Sequence, residues 1–150
     1  MSSLNSIKDL NTKYILEIAG EAPEQKRLQA LIKRYNLESQ CRLVGEKNDI
    51  VSFFNEADLV IIPSRSEGIP NTLFEAWMAK KPVIATNAGG ISEVVDNTKD
   101  GIICEPNSED LMNVFKKYIN TDSGRDFRQK SRISENGRDF SSKIGNFQEW

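Results

Sequence analysis

The sequence predicts an α/β fold built on a parallel, doubly wound sheet. Three observations predict it. Short apolar runs of β type alternate along the chain with longer segments of helical periodicity. Three of the runs are closed by Gly20, Gly45 and Pro63, which turn the chain or withhold a ladder donor. The stretch Ile61 to Gly90, IIPSRSEGIPNTLFEAWMAKKPVIATNAGG, has the order strand, loop, helix, strand. That is the βαβ unit of a parallel sheet, which carries helices on its faces.

The elements follow in order. Leu4, Ile7 and Leu10 mark Met1 to Asn11 as a short amphipathic helix, or the tail of one. Tyr14 to Ala19 is a strand ending at Gly20. Pro23 opens a helix whose buried stripe is Leu28, Leu31, Ile32 and Tyr35, ending before Asn36. Cys41 to Val44 is a strand stopped by Gly45. Asp49 can cap a short helix with Ile50, Val51, Phe53 and Phe54 on its apolar face. Asp58 to Ile62 is the third strand, Thr72 to Lys80 a helix, and Pro82 to Thr86 the fourth strand. Gly101 to Cys104 is a short fifth strand. Ser108 caps a helix running to about Ile119, with Leu111, Val114, Phe115 and Tyr118 inside. Asp122 to Arg138 reads as an exposed helix broken near Gly137. Phe140, Ile144, Phe147 and Trp150 give the last segment helical spacing. There is no internal repeat and no low-complexity linker. Residues 1–150 are expected to form a single domain, with 121–150 as its helical tail.

Composition narrows the function. The 150 residues are 38% hydrophobic and 28% charged, the range of a globular chain with a sizeable core. A net charge of −2 indicates no general affinity for nucleic acid or anionic membranes. No apolar run approaches the roughly 20 residues of a membrane span. MSSLNSIKDL lacks the apolar core of a signal peptide. Cys41 and Cys104, each at a β-type run, read as buried thiols in a reducing cytoplasm. Histidine is absent, which removes the commonest general base and neutral metal ligand. The cysteines are not spaced for zinc, so no metal is expected.

In a parallel sheet, ligands lie beyond the carboxyl ends of the strands. Ser64, Ser66, Glu67, Gly68, Asn71 and Thr72 fall there. Pro63 ends the third strand, having no N–H to donate. Gly68 lets the backbone turn tightly or approach a ligand closely. Pro70 fixes φ at the helix start, and Asn71 or Thr72 can cap it. A helix start of this kind suits a phosphate. Glu75, on the first turn, is acceptor-only when ionised and matches two vicinal hydroxyls. Asn87-Ala88-Gly89-Gly90 follows the next strand on the same sheet edge and offers bare backbone. Together these groups suit a pyrophosphate and a sugar. The plain reading stays open beside this one. An acid here can be a solvated or helix-dipole group, and Gly-Gly a simple turn.

SEGIPNTLFEAWMAKKPVIATNAGGISEVV resembles the signature of retaining family-4 glycosyltransferases of the GT-B fold. Glu67 and Glu75 match its two glutamates. Glu75-Ala76, Pro82 to Ala85, and Gly89-Gly90 match the rest. ILEIAGEAPE, CRLVG, FFNEADLVIIPS and DGIICEPNSEDLMNVF resemble its flanks, so the likeness covers about residues 14 to 120. The resemblance implies a Rossmann-like donor domain for a nucleotide-activated sugar, with that donor as substrate and no cofactor or metal. Glu75 would bind the ribose hydroxyls, and Glu67, as catalytic residue, would contact the transferred sugar. Amides around Asn71, Thr72 and Leu73 would hold the pyrophosphate, with Gly45 and Ser64 near the nucleoside. Gly68, Gly89 and Gly90 complete the implied donor site. Transfer would retain configuration, assisted by the leaving phosphate.

Departures are part of the comparison. Lys80 and Ala22 stand where the family usually has glycine, and Pro70-Asn71 replaces a glycine-containing pair. The family's domain opens with a strand and a loop carrying a phosphate-gripping Arg and Lys. Nothing before Tyr14 resembles it, and Lys8 and Lys13 are not in that context. The acceptor domain is also missing. The expectation is therefore a fragment of a cytoplasmic transferase, one that can sit at the inner face of a membrane. Its acceptor would be a glycan or lipid-linked, in surface polysaccharide synthesis. The isolated chain would be inactive, and an unpaired strand edge would favour self-association. The alternatives are a non-catalytic nucleotide-sugar-binding module or inactive fragment, and a GT-B-fold nucleotide-sugar epimerase.

Overall fold

The computed structural model describes residues 14–20, 25–65, 68–95 and 101–120. The segments expected at 1–11 and 121–150, and Pro23, Ser66 and Glu67, lie outside them. The chain divides into two compact units, residues 1–50 and 51–150.

The first unit contains β1 (Leu16–Ala19), α1 (Gln25–Arg34) and β2 (Cys41–Gly45). The strands pair in parallel from Leu16 opposite Cys41 to Ala19 opposite Gly45, with an irregularity between Ile18 and Ala19. Parallel pairing needs a crossover, and α1 supplies it. Ile32, Leu37 and Cys41 are buried together, with Leu16, Ile18, Tyr35 and Leu43 packed around them. α1 ends where Asn36 takes φ 51°. The Asn36 amide donates to Lys33 O at 3.1 Å and the Leu37 amide to Ile32 O at 2.9 Å. This paired closure is the Schellman motif, and Asn tolerates its left-handed position.

The second unit contains α2 (Ile50–Asn55, its first residue at the boundary), β3 (Val60–Ile62), α3 (Asn71–Met78), β4 (Val83–Thr86), α4 (Ile91–Val94), β5 (Ile102–Cys104) and α5 (Ser108–Asn120). The strand order is β3-β4-β5, all parallel. Every residue of β4 is buried, so both its faces are covered. This explains a run, PVIAT, with no polar alternation until its end. Ile84, Cys104 and Tyr118 are buried as one cluster, joined by Leu111, Val114, Phe115 and Ile119 of α5. α3 packs against β3 and β4 and buries Leu73, Ala76 and Trp77. Burying a side chain of this size contributes about 1.5–3 kcal/mol.

All five expected strands form, each trimmed or extended by a residue or two, as strand ends commonly are. α4 has no counterpart among the predicted elements, since four residues are too few to show helical periodicity. Two caps shift by a residue. At α5 the side chain that accepts is Asn107, from the Asp110 amide at 2.8 Å, not Ser108. Asp110 in turn accepts from the Glu105 amide at 2.7 Å. At α3 the cap position is Pro70, with no side-chain bond, rather than Asn71 or Thr72. Lys80 does adopt the left-handed position after α3, at φ 55°. Among the described residues, no helix is long and apolar enough to cross a membrane.

Candidate functional site

The site candidates of the second unit sit where β3 and β4 end. β3 stops before Pro63, and the chain then runs through Ser64 and Gly68 to α3. Ser64 is half-buried and Gly68 exposed. Gly68 has no positive φ, and no described atom lies within 4 Å of where its side chain would begin. Neither backbone strain nor crowding therefore calls for glycine there.

Pro70 has φ −71° and ψ 134°, extended geometry that opens α3 without a capping side chain. Asn71 and Thr72 become the first two helical residues. Their amides belong to the unsatisfied set at any helix start. The Leu73 amide does not, because it donates to Pro70 O at 3.0 Å. Its side chain is fully buried, so Leu73 serves the core. Glu75 lies in the second turn of the observed helix, not the first, and is half-buried. Ala76 and Trp77 beside it face the core, which fixes the helix rotation and leaves Glu75 at the boundary. Glu67 lies outside the described residues.

The loop after β4 is built differently at its two glycines. Gly89 has φ 62°, a conformation L side chains resist. Gly90 has an ordinary φ of −84°, but a Cβ there would stand 3.0 Å from Ile69 Cγ1. Glycine at 90 is thus matched to close approach by the preceding loop. The roots of the two loops also meet. The buried Thr86 hydroxyl donates to the carbonyl oxygens of Ser64 and, at 3.3 Å, Ile62. Sequence reading missed Thr86 and Ile69. The signal for Thr86 was the hydroxyl residue closing a wholly apolar strand.

Gly45 belongs to the first unit, at the end of β2 with φ 69°, where it accepts from the Gly20 amide at 2.8 Å. Among the described residues, no three His, Cys, Asp or Glu side chains are grouped to hold a metal ion. Burial pushes the Cys41 thiol up, and burial with Asp110 and Glu105 nearby pushes Cys104 up to about 11. Neither is a ready nucleophile near neutral pH.

Comparison with known proteins identifies the family and the fold. The family model for glycosyl transferases group 1 matches residues 2–140. An uncharacterised glycosyltransferase of Methanocaldococcus jannaschii is 31% identical over 144 residues, covering 94% of this chain and 39% of that protein. The lipopolysaccharide core biosynthesis glycosyltransferase LpsD of Rhizobium meliloti is 29% identical over 102 residues, 68% of this chain and 29% of its own. Among solved structures, Anabaena HepE in complex with UDP-glucose superposes with a TM-score of 0.74 at 26% identity, over 86% of this chain and 37% of HepE. The chain therefore spans about two fifths, or less, of the length of these relatives. On the family match, and on its alternating parallel β/α architecture, the chain belongs to the group 1 glycosyltransferases, as a domain of the GT-B type.

Proposed function

We propose that this chain binds the nucleotide-sugar donor of a retaining glycosyltransferase, as a single donor-binding domain. The observation that carries the reading is the start of α3. Two amides without a side-chain cap, Asn71 and Thr72, precede a half-buried carboxylate, Glu75. Amides at a helix start favour a diphosphate, and a carboxylate further along the helix suits ribose hydroxyls. Support comes from HepE, whose solved complexes contain UDP and UDP-glucose. The open space at Gly68 suits close approach by a ligand. Ser64, Gly89 and Gly90 are the remaining donor-binding candidates of the second unit, with Leu73 contributing its core packing, and Gly45 is the candidate in the first unit. Glu67 is assigned to the transferred sugar.

The chemistry then follows from charge. Departure of a nucleoside diphosphate develops negative charge on its outer phosphate. Fixed N–H dipoles aimed at that phosphate stabilise the charge without a metal ion. The acceptor is a glycan or a lipid-linked sugar, and the pathway is surface polysaccharide synthesis. This agrees with relatives named for lipopolysaccharide core and colanic acid biosynthesis. The enzyme works on the cytoplasmic side, where activated sugars are made.

The test is calorimetric titration of the full chain with UDP and UDP-glucose. Charge-assisted hydrogen bonds contribute about 1.5–3 kcal/mol, so Glu75→Gln should weaken binding roughly tenfold or more. An equal dissociation constant for Glu75→Gln and the parent would refute the ribose assignment.

A further inference from the structure

We propose that Thr86 is a positioning residue: its hydroxyl fixes the root of the Ser64–Pro70 loop against the root of the Asn87–Gly90 loop. The consequence for a ligand rests on the donor-site reading above, but the clamp itself rests on geometry alone. Val60 donates to Pro82 O at 3.0 Å, which sets the β3–β4 ladder. Continuing that parallel pattern, Ser64 O would accept from the amide of residue 88. It does not. The Ala88 amide turns back to Thr86 O at 2.8 Å, and the Asn87 amide goes to Cys104 O at 2.7 Å. Asn87 thereby continues the β4–β5 ladder, but the Ala88 amide, the next one that could face β3, is turned back and leaves Ser64 O without a ladder donor. The Thr86 hydroxyl takes the place of the missing amide and donates to Ser64 O, with Ile62 O also in reach at 3.3 Å.

The clamp has a second contact further out. Ile69, late in the first loop, lies against Gly90, where a Cβ would come within 3.0 Å of its Cγ1. The first loop is thus tied at its root by a part-buried hydrogen bond and near its end by apolar contact. Between the ties it carries Arg65, which is exposed, and Gly68. Both loops are proposed to meet one ligand, so their spacing sets the width of that site. Ser64 O is part-buried and Ile62 O buried, so losing the Thr86 donor costs free energy at both carbonyls.

The experiment compares Thr86→Val, which keeps shape but removes the donor, with Thr86→Ser, which keeps the donor. Trypsin cuts after Arg65, and that cut reports local loosening of the loop. Cutting after Lys117, on α5 of the same unit, serves as the control for general unfolding. In the purified full chain, Thr86→Val should raise the Arg65 rate about tenfold relative to the Lys117 rate, and Thr86→Ser should restore the parent ratio. Parent-like cutting at Arg65 in Thr86→Val would overturn the proposal. So would an equal rise at Arg65 and Lys117, because the hydroxyl would then be a stability element alone. UDP titration of the same proteins separates the two claims. If the parent binds no UDP, the nucleotide reading falls while the cleavage ratio still decides the clamp. If the parent binds, Thr86→Val should bind more weakly and Thr86→Ser as the parent does.

Discussion

Replacing Lys80 by glycine should stabilise the second unit. Lys80 follows α3 at φ 55°. Its amide donates to Trp77 O at 2.8 Å and the next amide, Lys81, to Ala76 O at 3.0 Å. The helix is therefore closed by the same motif that closes α1 at Asn36. A Cβ in the left-handed region costs about 1–2 kcal/mol. Glycine escapes that cost but gives the unfolded chain more freedom, which offsets about 0.4–1 kcal/mol. The net gain is about 0.5–1 kcal/mol. With a urea slope of about 2 kcal/mol/M, the midpoint should rise by roughly 0.3–0.5 M. Trp77, 4% exposed on α3, reports the transition by fluorescence. Lys80→Ala removes the same charge but keeps the Cβ, and should leave the midpoint where it was. Asn36→Gly should gain less, because Asn already tolerates this conformation. A midpoint unmoved by Lys80→Gly, or raised equally by Lys80→Ala, would refute the reasoning.

Two further outcomes concern the core. Gly101→Ala should destabilise by about 1–3 kcal/mol and Gly90→Ala by less, measured by urea unfolding. The added Cβ at 101 meets the Val83 backbone carbonyl at 3.1 Å, whereas at 90 it meets the movable Ile69 side chain; a larger loss at 90 would contradict this. Cys104 favours its neutral form in the fold, with its pKa raised from 9.0 to about 11. Its contribution is complete below pH 9 and is lost as pH rises through about 11, an effect of roughly 2–3 kcal/mol. Cys104→Ala should flatten the fall in urea midpoint between pH 8.5 and 11, and an unchanged fall would contradict it.

β3 and β4 were legible because burial leaves their runs, VII and PVIA, without polar residues. The left-handed position of Lys80 was legible too, from the family's glycine at that place, and the cost falls on a residue that does not relieve it. Caps were less legible. Around α3, Pro70, Asn71 and Thr72 compete within three positions, and the winner depends on where the loop delivers the chain. Around α5, Asn107 and Ser108 are both good caps, and the reciprocal bond from Asp110 to the Glu105 amide accompanies the choice of Asn107. For the Thr86 clamp the sequence offered a signal, a hydroxyl residue closing an apolar strand, but not the partner its hydroxyl meets. The clamp exists because the Ala88 amide folds back onto Thr86 O and leaves Ser64 O to the Thr86 hydroxyl, and a turn of that kind is tertiary information. The two glycines at 89 and 90 look alike in sequence, yet one answers a positive φ and the other a neighbour's side chain.

The energetics of the proposed site place the weight on Glu75. The amides of Asn71 and Thr72, at a helix start without a side-chain cap, can each make one charge-assisted bond, at about 1.5–3 kcal/mol. The dipole of α3 adds about 0.3–1 kcal/mol, and this helix is only eight residues long. The gross gain on a diphosphate is then about 3–7 kcal/mol. Loss of translational and rotational freedom alone opposes association by about 4–15 kcal/mol. The helix start by itself therefore orients a diphosphate but does not retain it. Lys80 and Lys81 do not alter this, since they stand at the opposite end of α3, and the Lys81 Nζ is bonded to Asn55 O at 2.8 Å. In the proposed complex retention would come from the nucleoside and sugar, for which Glu75 is the described residue on α3 suited to hydroxyls. Its half-buried position raises the value of such a bond over one in open solvent. A diphosphate held by amides and anchored through ribose can leave with its charge stabilised, while the same amides without the anchor would exchange it freely for any anion in solution.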